Sequence, residues 1–96
     1  MIKVFKLLNG EEIIAKVEPA GVGYSLKDPA AIVIQQTEKG VGVGLAPYMP
    51  YANGDIMLYS SSIGTEGSPT LAMENEYNRI FGSGIQIAPA GSVFTG

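Results

Sequence analysis

The chain contains no cysteine and no histidine. Without cysteine there is no disulfide and no thiolate metal ligand, and the redox compartment cannot be read from the sequence. With both residues missing, ordinary zinc sites, Ser-His triads and Cys-His dyads are excluded. No metal and no cofactor is expected. Long apolar runs are missing too: none approaches the ~20 residues of a membrane span, and Lys3 and Lys6 interrupt the apolar stretch that a signal segment would need. A soluble, cytoplasmic protein with no membrane partner is expected.

Basic charge is also scarce. Lysine and arginine number 6 against 9 aspartates and glutamates, a net charge of −3. Residues 1–39 balance, while residues 40–96 carry Arg79 against Asp55, Glu66, Glu74 and Glu76. Unspecific nucleic-acid binding follows the number of phosphates neutralised, so this profile disfavours it. A symmetric assembly would still repeat each lysine around one axis and build a local basic rim.

What the chain has is apolar content, 46% in 96 residues. That suits one folded domain over residues 1–96 and excludes wholesale disorder. It is generous for a domain this small, which points to a subunit interface as well as core filling.

Residues 4–17 organise the rest. Two β-rich runs, residues 2–8 and 12–17, flank Asn9-Gly10, the dipeptide that suits a type I′ hairpin turn. Ile13, Ala15 and Val17 alternate with Ile14, Lys16 and Glu18, giving one uniformly apolar face. Pro19-Ala20-Gly21 is expected to break this strand. Next, Val22, Tyr24 and Leu26 alternate with Gly23, Ser25 and Lys27. The run resumes after Asp28-Pro29 as one long strand, bent or bulged there, that ends in the turn at residues 37–40. In VGVGL (residues 41–45) the valines and leucine face one way. Gly42 and Gly44 leave the other face bare, as a bend or a close approach requires. Residues 47–55 form a loop with Tyr48, Met49 and Tyr51, rings that either cover the end of a barrel or present an aromatic surface. Short strands follow at residues 56–60 and 62–66, around a serine-rich break.

Ser68 as N-cap and Pro69 at the first helical position predict a helix over about 68–81. Met73, Tyr77, Ile80 and Phe81 make its apolar stripe, and Gly82 its stop. The tail, residues 82–96, holds Ile85-Gln86-Ile87 and either adds an edge strand or packs on a neighbour.

Catalytic chemistry finds no footing. Glu11 and Glu12 are adjacent on a strand and point to opposite faces. Gly82-Ser83-Gly84 follows a helix and sits at the dipole end that disfavours phosphate. No catalytic residue is assigned, and an enzyme is not expected.

Residues 5–10, 13–17 and 24–34 resemble the first motif of the Sm-like (LSm) family: a short strand, a turn glycine, a second strand, a loop and a long bent third strand. LLNGEEIIAKV, LKDPAAIVI, LAPYMP and NEYNRIFGSGIQIAPAG, about half the chain, are similar to small Sm-like proteins of T4-like cyanophages. The resemblance implies a mainly β fold: a strongly bent five-stranded antiparallel sheet, an SH3-like open barrel, here with a C-terminal helix. It implies a homo-oligomeric ring of roughly five to seven subunits, a pentamer favoured, that leaves no open sheet edge. In such a ring the fourth strand of one subunit (residues 41–48) pairs with the fifth of the next (residues 62–66), through Val41, Val43, Leu45, Ile63 and Thr65.

The family binds single-stranded RNA through an Asp-x-aromatic/aliphatic-x-Asn pattern and an Arg-Gly pair. This sequence departs from both: residues 19–24 contain no asparagine and residues 59–61 no Arg-Gly. Tyr24 remains as a stacking ring and Lys27 as a phosphate contact. The resemblance thus implies a phage-encoded RNA-binding ring in the cytoplasm of an infected bacterium. The alternative is a structural or protein-interaction ring that meets its partner through Tyr48, Met49 and Tyr51.

Overall fold

The structure is a computed structural model, and it describes residues 1–82. The tail expected either to add an edge strand or to pack on a neighbour, with Ile85 and Ile87, lies outside the described residues. The protein is mainly β, a bent antiparallel sheet with one helix after it.

Strand β1 (Ile2–Leu7) pairs with β2 (Glu12–Ala20), Ile2 opposite Lys16 and Lys6 opposite Glu12. The connecting turn differs from the expected two-residue form. The Leu7 N–H donates to the Glu11 carbonyl at 2.8 Å and the Gly10 N–H to the Leu7 carbonyl at 2.9 Å. The loop is therefore Leu8, Asn9 and Gly10, with only Gly10 at positive φ (92°). The reason lies in the Asn9 side chain. Its carbonyl accepts from the Glu11 N–H at 2.9 Å, a local bond that leaves the left-handed position to glycine.

Pro19 does not break β2, as the sequence suggested, but pairs opposite Tyr24 within it. The Val17 N–H donates to Met1 on the β1 side at 2.7 Å. Two residues on, the Pro19 nitrogen points the same way, past the end of β1, where no ladder bond is lost.

Strand β3 (Gly23–Thr37) carries the bulge that the sequence predicts. Ile14 lies opposite Ala30 and Lys16 opposite Lys27, so Asp28 and Pro29 together face the single residue Ala15. Asp28 takes φ of 51° to make the bend. One edge of β3 then serves two partners. Its second half pairs with β4 (Gly40–Pro47) and its first four residues with β5 (Ile56–Tyr59). Residues 48–55 loop out between β4 and β5. A 3₁₀ turn, Ser60–Ser62, leads to β6 (Ile63–Gly67), which pairs with β1. That turn is tied on both sides: the Ser60 N–H donates to Val22 at 2.8 Å, and Ser62 accepts from the Leu8 N–H at 2.9 Å.

The interior holds Phe5, Leu7, Ile13, Ala15, Val17, Leu26 and Leu58. Ile14 points the other way and is equally buried, in a second cluster with Ala30 and Tyr77. Helix α1 (Leu71–Phe81) creates this second cluster by lying on the outer face of the sheet. It starts later than the sequence predicts. Ser68 precedes a proline and is held extended, and the Thr70 hydroxyl is the cap, accepting from the Met73 N–H at 3.1 Å. Tyr77, Met73 and Phe81 face the sheet, whereas Ile80 is exposed.

Candidate functional site

A cleft of about 480 Å³ opens between the β2–β3 turn and the 60–66 segment, lined by Pro19, Gly21, Gly23, Tyr24, Ser60 and Glu66 among others. Tyr24 forms its wall. β3 brings the Tyr24 ring to 5.2 Å from Phe5, tilted by 52°. The Tyr24 hydroxyl donates to Glu66 Oε2 at 2.7 Å, and Lys3 Nζ lies 3.4 Å from the same oxygen. The hydrogen bond from Tyr24 and the nearby lysine hold the Glu66 carboxyl below its usual range. The same bond, to an anionic acceptor, pushes the Tyr24 hydroxyl up. Lys3 and Glu66 join residues 63 positions apart in sequence, and no spacing in the sequence points to them as Tyr24's neighbours.

Tyr24 and Lys27, the two candidates for RNA contact, are not brought together. Lys27 stands opposite Lys16 on the outer face of the sheet, in a different recess that Glu18 and Asp55 also line. Two lysines directly across a ladder repel one another and gain from an anionic neighbour.

The interface candidates divide in the same way. Val41 and Val43 are exposed on β4, and Leu45 is half-buried against the helix-side cluster. Ile63 packs against the barrel core, while Thr65 is exposed. Among the described residues β4 pairs only with β3, and β6 only with β1. Each therefore presents one edge of unpaired N–H and C=O groups. The bare side of Gly44 is filled by Gln35, whose amide nitrogen lies 2.9 Å from where a Cβ would stand.

In the 48–55 loop, Tyr48 turns inward against the barrel core, and its N–H donates to Pro29 at 2.9 Å. Met49 and Tyr51 point out, Tyr51 with 98% of its surface exposed. Met49 also borders a recess of about 380 Å³ whose lining mixes Leu7, Leu26 and Leu58 with Asn9, Ser61 and Ser62. Among the described residues no group of acidic side chains is arranged to hold a metal ion, and no helix is long and apolar enough to cross a membrane. Comparison with known protein-family models and with curated proteins gives no match for this chain.

Proposed function

We propose that the protein is a ring-forming module of the Sm-like kind, phage-encoded, that holds single-stranded RNA in the infected cell. The observation that carries the reading is the pair of unlike free edges, β4 and β6, at the two ends of one bent sheet. Edge-to-edge addition of such a sheet is head-to-tail, and a rotation that closes gives a ring with no open edge left. The Tyr24 cleft lies beside β6, so it repeats once per copy around that ring. Its aromatic wall gives a base a face to stack on.

Native mass spectrometry tests the ring. A single closed oligomer of small fixed number is expected, and a clean monomer overturns it. Fluorescence anisotropy with U-rich and A-rich oligomers at low salt tests the ligand. Replacing Tyr24 by alanine removes a stacking platform worth ~1–3 kcal/mol per base, so binding should weaken by about five-fold or more. Tyr24→Phe keeps the ring and loses only the Glu66 bond, and should bind nearly as wild type.

A second reading is a protein-interaction ring without RNA. Glu66 in the cleft and the outward Tyr51 favour it. Tyr51→Ala should then abolish capture of the protein partner without changing the oligomer. Tyr48 is unsuited to that test, because it packs in the core.

A further inference from the structure

The Tyr24 cleft holds a carboxylate that stacking alone does not use. Both contacts of Glu66 fall on one of its oxygens. The Tyr24 hydroxyl donates to Oε2 at 2.7 Å, and Lys3 Nζ lies 3.4 Å from the same atom. Oε1 has no partner among the described residues. Glu66 lines the cleft and keeps 38% of its side-chain surface exposed, so a ligand in the cleft can reach that free oxygen. The Tyr24 bond also keeps the carboxyl below its usual range, so the group is charged at neutral pH.

The surroundings suit a flat ligand. Phe5 packs against the Tyr24 ring from the interior. Gly21 and Gly23 line the cleft without side chains, and nothing lies within 4 Å of where a Cβ on Gly21 would stand. Glu66 stands at the hydroxyl end of the Tyr24 ring. A base stacked on that ring therefore presents an edge to the carboxylate.

An ionised carboxylate only accepts hydrogen bonds. It repels a phosphate, but it holds a base edge that donates. The four bases differ on their Watson–Crick edge, which is free only in single strands. Guanine carries two adjacent donors there, N1–H and the N2 amino group. Adenine and cytosine carry one amino group beside a ring nitrogen that accepts. Uracil carries one N–H between two carbonyls. An accepting atom turned toward Oε1 sets lone pair against lone pair and leaves both without the water they gave up. Oε1 has two lone pairs and can take both guanine donors.

We propose that the Tyr24 cleft selects guanine from single-stranded RNA, with Glu66 Oε1 accepting from N1–H and the N2 amino group. The inference rests on the RNA reading above and adds the base to it. Tyr24 supplies affinity for any base, and Glu66 supplies the choice among them.

Fluorescence anisotropy with the full chain tests this. The probes are short uridine oligomers that differ only at one central position: guanine, inosine, adenine, cytosine or uracil. Guanine should bind about five-fold or more tighter than uracil, the worth of one good two-donor contact. Inosine, which lacks the N2 amino group, should fall between them. Raising the salt should weaken every oligomer and leave the guanine-to-uracil ratio standing, because phosphate contacts are screened and base contacts are not. Glu66→Ala should remove the preference and leave uracil binding unchanged or stronger. Equal binding of all five oligomers overturns the choice of guanine and leaves RNA binding intact. So does a guanine preference that survives Glu66→Ala, which assigns the choice to another group. Binding of none of them overturns the RNA reading as well.

Discussion

The Tyr77 hydroxyl donates to the Asp28 carbonyl at 2.7 Å across 49 residues of chain, and it also reaches the Lys27 carbonyl at 3.1 Å. Both acceptors lie at the bend in β3, Asp28 in the bulge and Lys27 on the rung beside it. The helix is thus tied by hydrogen bonds to the point where the sheet bends. Tyr77→Phe removes these bonds and leaves the acceptors unpaired beneath the helix. It should cost about 1–3 kcal/mol, read as a lower midpoint in urea unfolding with an unchanged slope.

Burial pushes the Tyr77 hydroxyl up to about 12, and the Asp28 carboxylate adds in the same direction. The folded state thus holds the proton more tightly than the unfolded chain, whose tyrosines titrate near ~10. Tyr77's contribution is fully present below pH ~10 and is lost as pH rises toward 12. Denaturant midpoints should fall over that window in the wild type and fall less in Tyr77→Phe. Tyr24 shifts in the same direction, so the variant keeps part of the slope.

Glu66 gives the opposite sign. Its carboxyl is held down chiefly by the Tyr24 hydroxyl and also by Lys3. The stability it contributes is present above its unfolded value and is lost as pH falls through the folded one. In an NMR titration, Tyr24→Phe should raise the Glu66 midpoint toward the ordinary carboxylate range. Lys3→Met should also raise it.

Gly23 sits where β3 and β5 come closest. A Cβ there would lie 1.9 Å from the Leu58 carbonyl oxygen and 2.9 Å from the Tyr59 Cα, both backbone atoms that cannot rotate away. Gly23→Ala should destabilise the domain by at least the ~1–3 kcal/mol of an overpacked core. Because β5 leads into the turn that closes the cleft, it should also weaken any ligand that depends on Tyr24. A thermal melt checks the first effect and anisotropy the second.

The strand pattern was legible because burial on one side of a sheet imposes alternation. Ile13, Ala15 and Val17 read as core and are core. Asp28-Pro29 read as a bend because proline cannot serve a central ladder, and the bulge lies there. Other features depended on contacts that no short window contains. Ile14 looked like a member of the polar face, and only a helix begun at Leu71 makes it core. Pro19 looked like a break because its tolerance depends on where β1 ends. The helix start was misplaced because Ser68 and Thr70 are both good caps, and the proline between them decides. In the cleft, the residue types at Tyr24 could be read, but its partners Lys3 and Glu66 could not. They meet only when β1 and β6 pair.

β2 is buried on both faces, with Ile13, Ala15 and Val17 on one side and Ile14 on the other. This imposes an order of assembly. An isolated helix as short as the 11 residues of α1 is marginal in water, and the surface that would steady it does not exist until β2 and β3 have paired and the bulge has formed. In native-state hydrogen exchange, α1 is accordingly the subunit of structure that opens at the lower free energy, with β2 beneath it among the last amides to exchange.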